Sequence, residues 1–159
     1  MSDSPAFLVD RLRSEGEKTL AFFQALNQAQ WEQVVYADKI PWNARQVLAH
    51  LVSTEETVRT QIEGVLSGGW GVAEDFDIDA FNLQAVARLE RTSVADLLNL
   101  FPQYRQATIA LVERLSPDDL HRQGRHPYLG IVPLVEVIKL IYRHNQIHQR
   151  EMRKVLSEA

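Results

Sequence analysis

Apolar residues recur at helical spacing in four long segments, and this pattern predicts an all-α protein. The first segment follows Ser4-Pro5, a typical helix start because serine accepts a free backbone N–H and proline fits the first turn. It is predicted to end in the polar run between residues 27 and 33. The second begins after Asn43, a natural N-cap, and ends at Ser67-Gly68-Gly69. Its apolar face comprises Ala44, Val47, Leu48, Leu51, Val58, Ile62 and Val65.

The third and fourth segments complete the predicted bundle. Ser93 caps the third helix, and Pro102 within it is expected to kink the helix or split it. The fourth helix runs from about Pro133 to near the C-terminus. One of its faces carries Leu134, Val137, Ile138, Ile141, His144, Asn145, His148, Met152 and Val155.

The connections between these helices differ in length. The link between the second and third contains the acidic, irregular segment Trp70 to Asp79 and a shorter helix over Asp79 to Leu89. A crossover of this length allows the second and third helices to run parallel. The link to the last helix contains a short turn and a predicted loop from Gly124 to Gly130. Without repeats or linkers, residues 1–159 are predicted to form one domain, a four-helix bundle.

Composition narrows the function classes. The chain has 159 residues, a net charge of −4 and no cysteine. The acidic balance leaves no broad basic surface for phosphates, so nucleic acid is not an expected partner. The lack of cysteine excludes disulfides, thiolate metal ligands and a cysteine nucleophile. No signal peptide or membrane span is recognisable, which predicts a cytoplasmic protein without a membrane partner.

Two histidines stand four residues apart on the last helix. His144 and His148 are about 40° apart around a helix and about 6 Å apart along it, close enough to share one ion. Both fall on the inward stripe, where an unsatisfied imidazole costs about 1–3 kcal/mol. A bound metal ion would satisfy both, although this spacing also arises by chance in helices.

A third ligand must come from another helix. His50 lies on the shoulder of the second helix's apolar face, about 60° from Val47. Three neutral imidazoles with open coordination positions suit zinc or nickel. Alternatively, His50 is a hydrogen-bonded core or rim histidine without a metal. His121 and His126 stand in polar loop segments and are expected at the surface.

The order of several short motifs resembles the DinB/YfiT-like superfamily over nearly the whole chain. These motifs are Trp42 followed by His50, then Asp79-Ala80-Phe81-Asn82, then His126-Pro127-Tyr128-Leu129-Gly130, and finally His144 with His148. The resemblance implies an up-down-down-up four-helix bundle with a metal held by one histidine of the second helix and two of the fourth. By position these are His50, His144 and His148. Some members of the superfamily are S-transferases or isomerases that use a low-molecular-weight thiol.

Other polar residues could assist such a site. Glu55 lies near the centre of the second helix's apolar stripe. It either supports a ligand or acts as a base, or it pairs with an arginine at a gap or bundle end. Asn145 faces inward and could orient a ligand or line a pocket. The three tryptophans, Trp31, Trp42 and Trp70, are interpreted as packing residues.

Two functions follow from this interpretation. One is an enzyme in which a metal-activated thiolate or hydroxide attacks a small electrophile. The thiol must then come from solution, since the chain has no cysteine. The other is a non-catalytic stress-response or binding module stabilised by the metal. Apolar residues off the inner stripe of the last helix also predict a homodimer; they are Val135, Val137, Leu140 and Ile147.

Overall fold

Four long helices dominate the computed structural model, which describes residues 3–38 and 40–156. Short helices and two antiparallel two-stranded hairpins, β1 with β2 and β3 with β4, connect them. The elements are α1 Pro5–Gln24, α2 Gln28–Glu32, β1 Val34–Tyr36, β2 Trp42–Asn43, α3 Ala44–Leu66, α4 Ile78–Arg88, α5 Val94–Glu113, α6 Pro117–Leu120, β3 Gln123–His126, β4 Gly130–Pro133 and α7 Leu134–Leu156. The helical fold class predicted from the sequence is confirmed.

Side-chain caps fix the starts of the first three long helices. Ser4 accepts a hydrogen bond from the Phe7 amide at 3.1 Å, which satisfies one free N–H of α1. Asn43 and Gln46 form a reciprocal capping box at the start of α3. Ser93 accepts from the Asp96 amide at 3.0 Å and starts α5. All three N-caps were predicted from the sequence.

The helices enclose two apolar clusters at opposite ends of the bundle. One cluster combines the beginnings of α1 and α7 with the ends of α3 and α5. The other combines the ends of α1 and α7 with the beginnings of α3 and α5. Therefore α3 and α5 run in the same direction along the bundle, and α1 and α7 run in the opposite direction.

A buried polar layer joins all four long helices. Arg105 of α5 donates through Nε to Glu55 of α3 at 2.9 Å and through Nη1 to the Leu12 carbonyl of α1 at 2.8 Å. It also donates to the Asn145 side chain of α7. Gly16 leaves room for the guanidinium, because a Cβ there would lie 2.9 Å from Nη1 of Arg105.

Three predictions about local structure need correction. Of the two outcomes predicted for Pro102, a split of the third helix is wrong, since α5 continues through it. Proline removes its own N–H bond and crowds the preceding turn, but buried residues on both sides of it, Phe101 and Arg105 among them, pack α5 into the bundle. The first helix ends at Gln24, and Asn27 caps the separate short helix α2. The predicted loop from Gly124 to Gly130 belongs mostly to the β3–β4 hairpin.

Two further features bear on the predicted partners. Within the part of the chain that the structure describes, no helix is long and apolar enough to cross a membrane. Val135 and Val137, which were expected to remain for a dimer interface, are buried within the single chain. Leu140 is half-buried and Ile147 is exposed, and both line a pocket. The predicted homodimer therefore has less apolar surface in its favour than the sequence indicated.

Candidate metal centre

The structure brings His50, His144 and His148 together at the floor of a pocket. Nε2 of His144 lies 3.1 Å from Nε2 of His50 and 2.9 Å from Nε2 of His148. One ring nitrogen from each residue lies within 4.8 Å of the other two. Among the described residues this is the cluster whose donor atoms could hold a metal ion.

Helix geometry and a hairpin position the three rings. His144 and His148 lie one turn apart on α7, so their side chains project from the same face. His50 comes from the second turn of α3 and is only 5% exposed. The β1–β2 hairpin brings Trp42 against it, with ring centroids 5.2 Å apart.

Burial favours the neutral form of all three imidazoles. It lowers the pKa of His50 well below its usual value, and the neighbouring histidines lower it further. Burial lowers the pKa of His144 to about 3, again with a contribution from His148. The pKa of His148 is also lowered by burial, and nearby Glu151 partly opposes that effect. A neutral imidazole retains a lone pair on one nitrogen, which is the form that binds a metal.

The spacing of the nitrogens is compatible with a shared cation, and mutual hydrogen bonding alone does not account for every contact. Ligand nitrogens about 2.1 Å from one ion, at angles of about 90–110°, lie about 3.0–3.4 Å apart. The separation of 3.1 Å falls within this range, and that of 2.9 Å lies just below it. One N–H on His144 cannot point at both neighbours, so hydrogen bonding alone leaves a contact unsatisfied. Nδ1 of His50 is buried without a hydrogen-bond partner in the described chain, so no hydrogen bond holds that side of the ring.

Tyr36 and Glu151 orient the His148 ring. The Tyr36 hydroxyl lies 2.6 Å from Nδ1 of His148 and also donates to the Glu151 carboxylate. The single hydroxyl proton goes to the carboxylate, so Nδ1–H of His148 donates to the tyrosine oxygen. The lone pair of His148 then lies on Nε2, facing the other two histidines. Burial and Glu151 together raise the pKa of Tyr36, which keeps the hydroxyl protonated.

Sequence reasoning did not identify either of these residues. Glu151 carried a faint signal, because it lies three residues after His148 and therefore on the same side of α7. Tyr36 carried none, since it lies more than 100 positions from His148 in the chain.

A pocket of about 990 Å³ opens above the three histidines. Its walls are mainly apolar and aromatic, with Trp42, Phe76, Phe81, Tyr128 and Ile141 among them. Three acidic residues, Asp38, Asp79 and Glu151, also line it, whereas no described Lys or Arg does. The volume is at the upper end of the range for small-molecule sites.

His126 also lines this pocket, which corrects its predicted surface position. It is the last residue of β3 and is buried, whereas His121 is exposed as expected. The correction arises because the predicted loop folds into a hairpin. Two backbone amides of the turn donate to Nδ1 of His126, those of Tyr128 at 3.1 Å and Leu129 at 3.4 Å.

The remaining candidate residues have mainly structural contacts. Glu55 is paired with an arginine, as one of the predicted alternatives had it, in the gap between the two apolar clusters. Asn145 faces inward as predicted, where it contacts Arg105 and does not line the pocket. Trp31 stacks on Phe23, as expected of a packing residue. Trp42 lines the pocket in addition to packing, and Trp70 is 73% exposed, so it is not a packing residue.

Solved structures with the same fold include proteins of several functions. YfiT from Bacillus subtilis, described as a probable metal-dependent hydrolase, has 18% identity and a TM-score of 0.78, covering 97% of this chain and 86% of its own. The colibactin self-resistance protein ClbS, solved with double-stranded DNA, has 17% identity and a TM-score of 0.76, covering 96% and 95%.

A third structure is longer than this chain. The mycothiol-dependent maleylpyruvate isomerase has 13% identity and a TM-score of 0.74, covering 93% of this chain and 60% of its own. These identities establish a shared fold only. No curated protein is detectably similar in sequence. A sequence profile of the DinB superfamily matches residues 5–152, so the chain belongs to the DinB superfamily, as its motifs predicted.

Proposed function

We propose that this protein is a metal-dependent enzyme acting on a small electrophilic molecule, with His50, His144 and His148 as ligands of one divalent ion. The observation that carries the proposal is the convergence of three neutral imidazole nitrogens at the floor of a large pocket. A purely structural metal site would be closed by protein ligands. Here the histidines face open space, which favours an enzyme over a metal-stabilised module.

The chain supplies the donor set and holds it in place. Three imidazoles suit zinc or nickel and leave coordination positions free. When bound, such an ion would lower the pKa of a coordinated thiol or water toward neutrality. The hydrogen bonds from His148 through Tyr36 to Glu151 keep the Nε2 lone pair of His148 available for the ion that the three histidines would hold.

Transfer of a low-molecular-weight thiol is the reaction that the pocket supports best. Its volume of about 990 Å³ accommodates a thiol and an electrophile together. The chain has no cysteine, so the sulfur must come from solution. In this reaction the thiol loses its S–H proton to solvent. Its sulfur then forms a bond to the electrophilic carbon as the bond to the leaving group breaks.

Hydrolysis is the second candidate, and the resemblance to YfiT, a probable metal-dependent hydrolase, favours it. Water would then replace the thiol as the nucleophile, and the same three histidines would hold the ion. The Glu151 carboxylate lines the pocket and could accept the proton from water. The two candidates differ in one requirement, the added thiol.

The pocket walls indicate a small, largely apolar substrate. Aromatic and aliphatic side chains form most of the lining. The net charge of −4 and the acidic residues around the pocket argue against a nucleic acid ligand, even though ClbS was solved with double-stranded DNA. A single domain over residues 1–159, a cytoplasmic location and a homodimer remain predictions.

Metal analysis tests the ligand set directly. We expect about one divalent ion per chain by mass spectrometry of the purified protein, and loss of that ion in the double variant His144→Ala/His148→Ala. The matched control is His121→Ala, which removes an exposed histidine outside the pocket. Full metal retention by the double variant would contradict the proposed ligands.

Activity assays then separate the two reactions. Panels of electrophiles and esters are incubated with metal-loaded protein, with and without several small thiols, before and after chelation. We expect turnover that requires both metal and thiol. Activity that requires metal but not thiol would identify the hydrolase instead. Activity that survives chelation would reject both enzymatic versions.

A further inference from the structure

His126 has one ring nitrogen occupied by the protein and the other free. Its Nδ1 accepts hydrogen bonds from the backbone amides of Tyr128 and Leu129 in the β3–β4 turn. No hydrogen bond joins its Nε2 to another described residue. Nε2 is not fully buried, and the residue lines the pocket described above.

These two amide bonds determine the tautomer. A nitrogen that accepts a hydrogen bond carries no proton, and an imidazolium has no acceptor nitrogen. His126 is therefore neutral with its proton on Nε2. Its burial, which lowers its pKa, agrees with that state. A neutral imidazole held this way is a fixed N–H donor, and such a donor can polarise a carbonyl.

The donor lies in the same pocket as the three clustered histidines. His126 and His144 both line it. No described Lys or Arg lines the pocket, so no cationic side chain of the described chain competes to meet a negatively charged oxygen there. A substrate that fills this pocket would therefore share it with one neutral N–H donor, that of His126.

We propose that Nε2–H of His126 donates a hydrogen bond to an oxygen of the substrate, and that the substrate is an electrophile with an acceptor oxygen at its reacting carbon. This inference rests on the proposed metal-dependent function and adds the substrate class to it. The hydrogen bond would orient the oxygen and stabilise the negative charge that develops on it during attack. His126 would thus touch the substrate without binding the metal.

The alternative is that His126 only secures the turn. His126→Asn separates these roles, because an asparagine oxygen accepts the amide two residues later in an Asx-turn and so replaces the bond to Nδ1. The shorter asparagine side chain leaves the position of Nε2 empty. The control is His121→Asn, at an exposed histidine outside the pocket.

Two probes report on the donor in cobalt(II)-loaded protein, whose visible spectrum changes when a ligand binds. Benzoate binds the cobalt ion through a carboxylate and has oxygen atoms that accept hydrogen bonds. Benzenethiolate binds through sulfur and has no oxygen acceptor. We expect His126→Asn to weaken benzoate binding about 10- to 100-fold, the effect of losing a hydrogen bond to a charged group. Its affinity for benzenethiolate and its melting temperature should stay close to wild type.

The remaining outcomes are equally decisive. Equal losses for both probes, or no loss for either, would overturn the inference. If the Asn variant fails to fold, the near-isosteric variants His126→Gln and His126→Met replace it. Only Gln keeps an N–H, so benzoate affinity must be at least about tenfold higher for Gln than for Met. If wild-type protein binds no cobalt, the proposed function itself is overturned, and this inference with it.

Discussion

The buried pair of Arg105 and Glu55 offers a strong test of how the bundle supports the site. Both side chains are almost fully buried, at 3% and 2% exposed. Arg105 makes two contacts with the same Glu55 oxygen, at 2.9 and 2.5 Å, and contacts Asn145 beside His144. The substitution Arg105→Met leaves the Glu55 carboxylate buried, with Thr108 as its remaining hydrogen-bond donor among the described residues.

The expected cost follows from this burial. Removing one partner of a buried ion pair costs about 3–5 kcal/mol, because the remaining charge has no compensation. In a domain of this size about 1 kcal/mol corresponds to about 2–4 °C, so the melting temperature should fall by about 6–20 °C. The double variant Glu55→Leu/Arg105→Met removes both charges. We expect it to be more stable than Arg105→Met alone, by at least about 2 kcal/mol.

Urea denaturation of chelated protein at pH 7.5 measures these differences. Arg114→Met, at an exposed arginine after α5, is the control and should cost less than about 0.5 kcal/mol. A loss below about 1 kcal/mol in Arg105→Met would refute the argument from burial. A double variant less stable than Arg105→Met would show that the carboxylate was not the source of the cost.

Two further predictions follow from the histidine cluster, and a third concerns the assembly of the chain. In urea titrations of chelated protein, the free energy of unfolding should fall as the pH is lowered from 6.5 to 4.5. The lowered pKa values of buried His50, His144 and His148 mean that the unfolded chain binds protons that the folded chain does not, and each histidine contributes up to about 1.4 kcal/mol per pH unit. A free energy of unfolding that does not change over this pH range would contradict the prediction. Tyr36→Phe should weaken zinc binding about 10- to 100-fold in competition with a chelating dye, whereas Tyr128→Phe should not; equal affinities would disprove the role of Tyr36. Sedimentation at micromolar concentration should show a homodimer, and only monomer would remove that prediction.

Local signals in the sequence determined the helices and the face that carries two of the histidines. Caps such as Ser4 and Asn43 act within four residues, so their effect can be read directly from the chain. The 3.6-residue repeat likewise fixes that His144 and His148 share the inner face of α7. His50 needed one further step, since its helix had to be placed beside α7.

Contacts between distant segments decided the rest of the site. Tyr36 meets His148 only because the β1–β2 hairpin packs against α7, across 112 positions of sequence. His126 was expected at the surface because its neighbours are polar, yet the β3–β4 hairpin buries it in the pocket. The partner of Glu55 lies 50 residues away on α5. Periodicity gives the direction of a side chain on its own helix, whereas tertiary packing chooses the atoms that it meets.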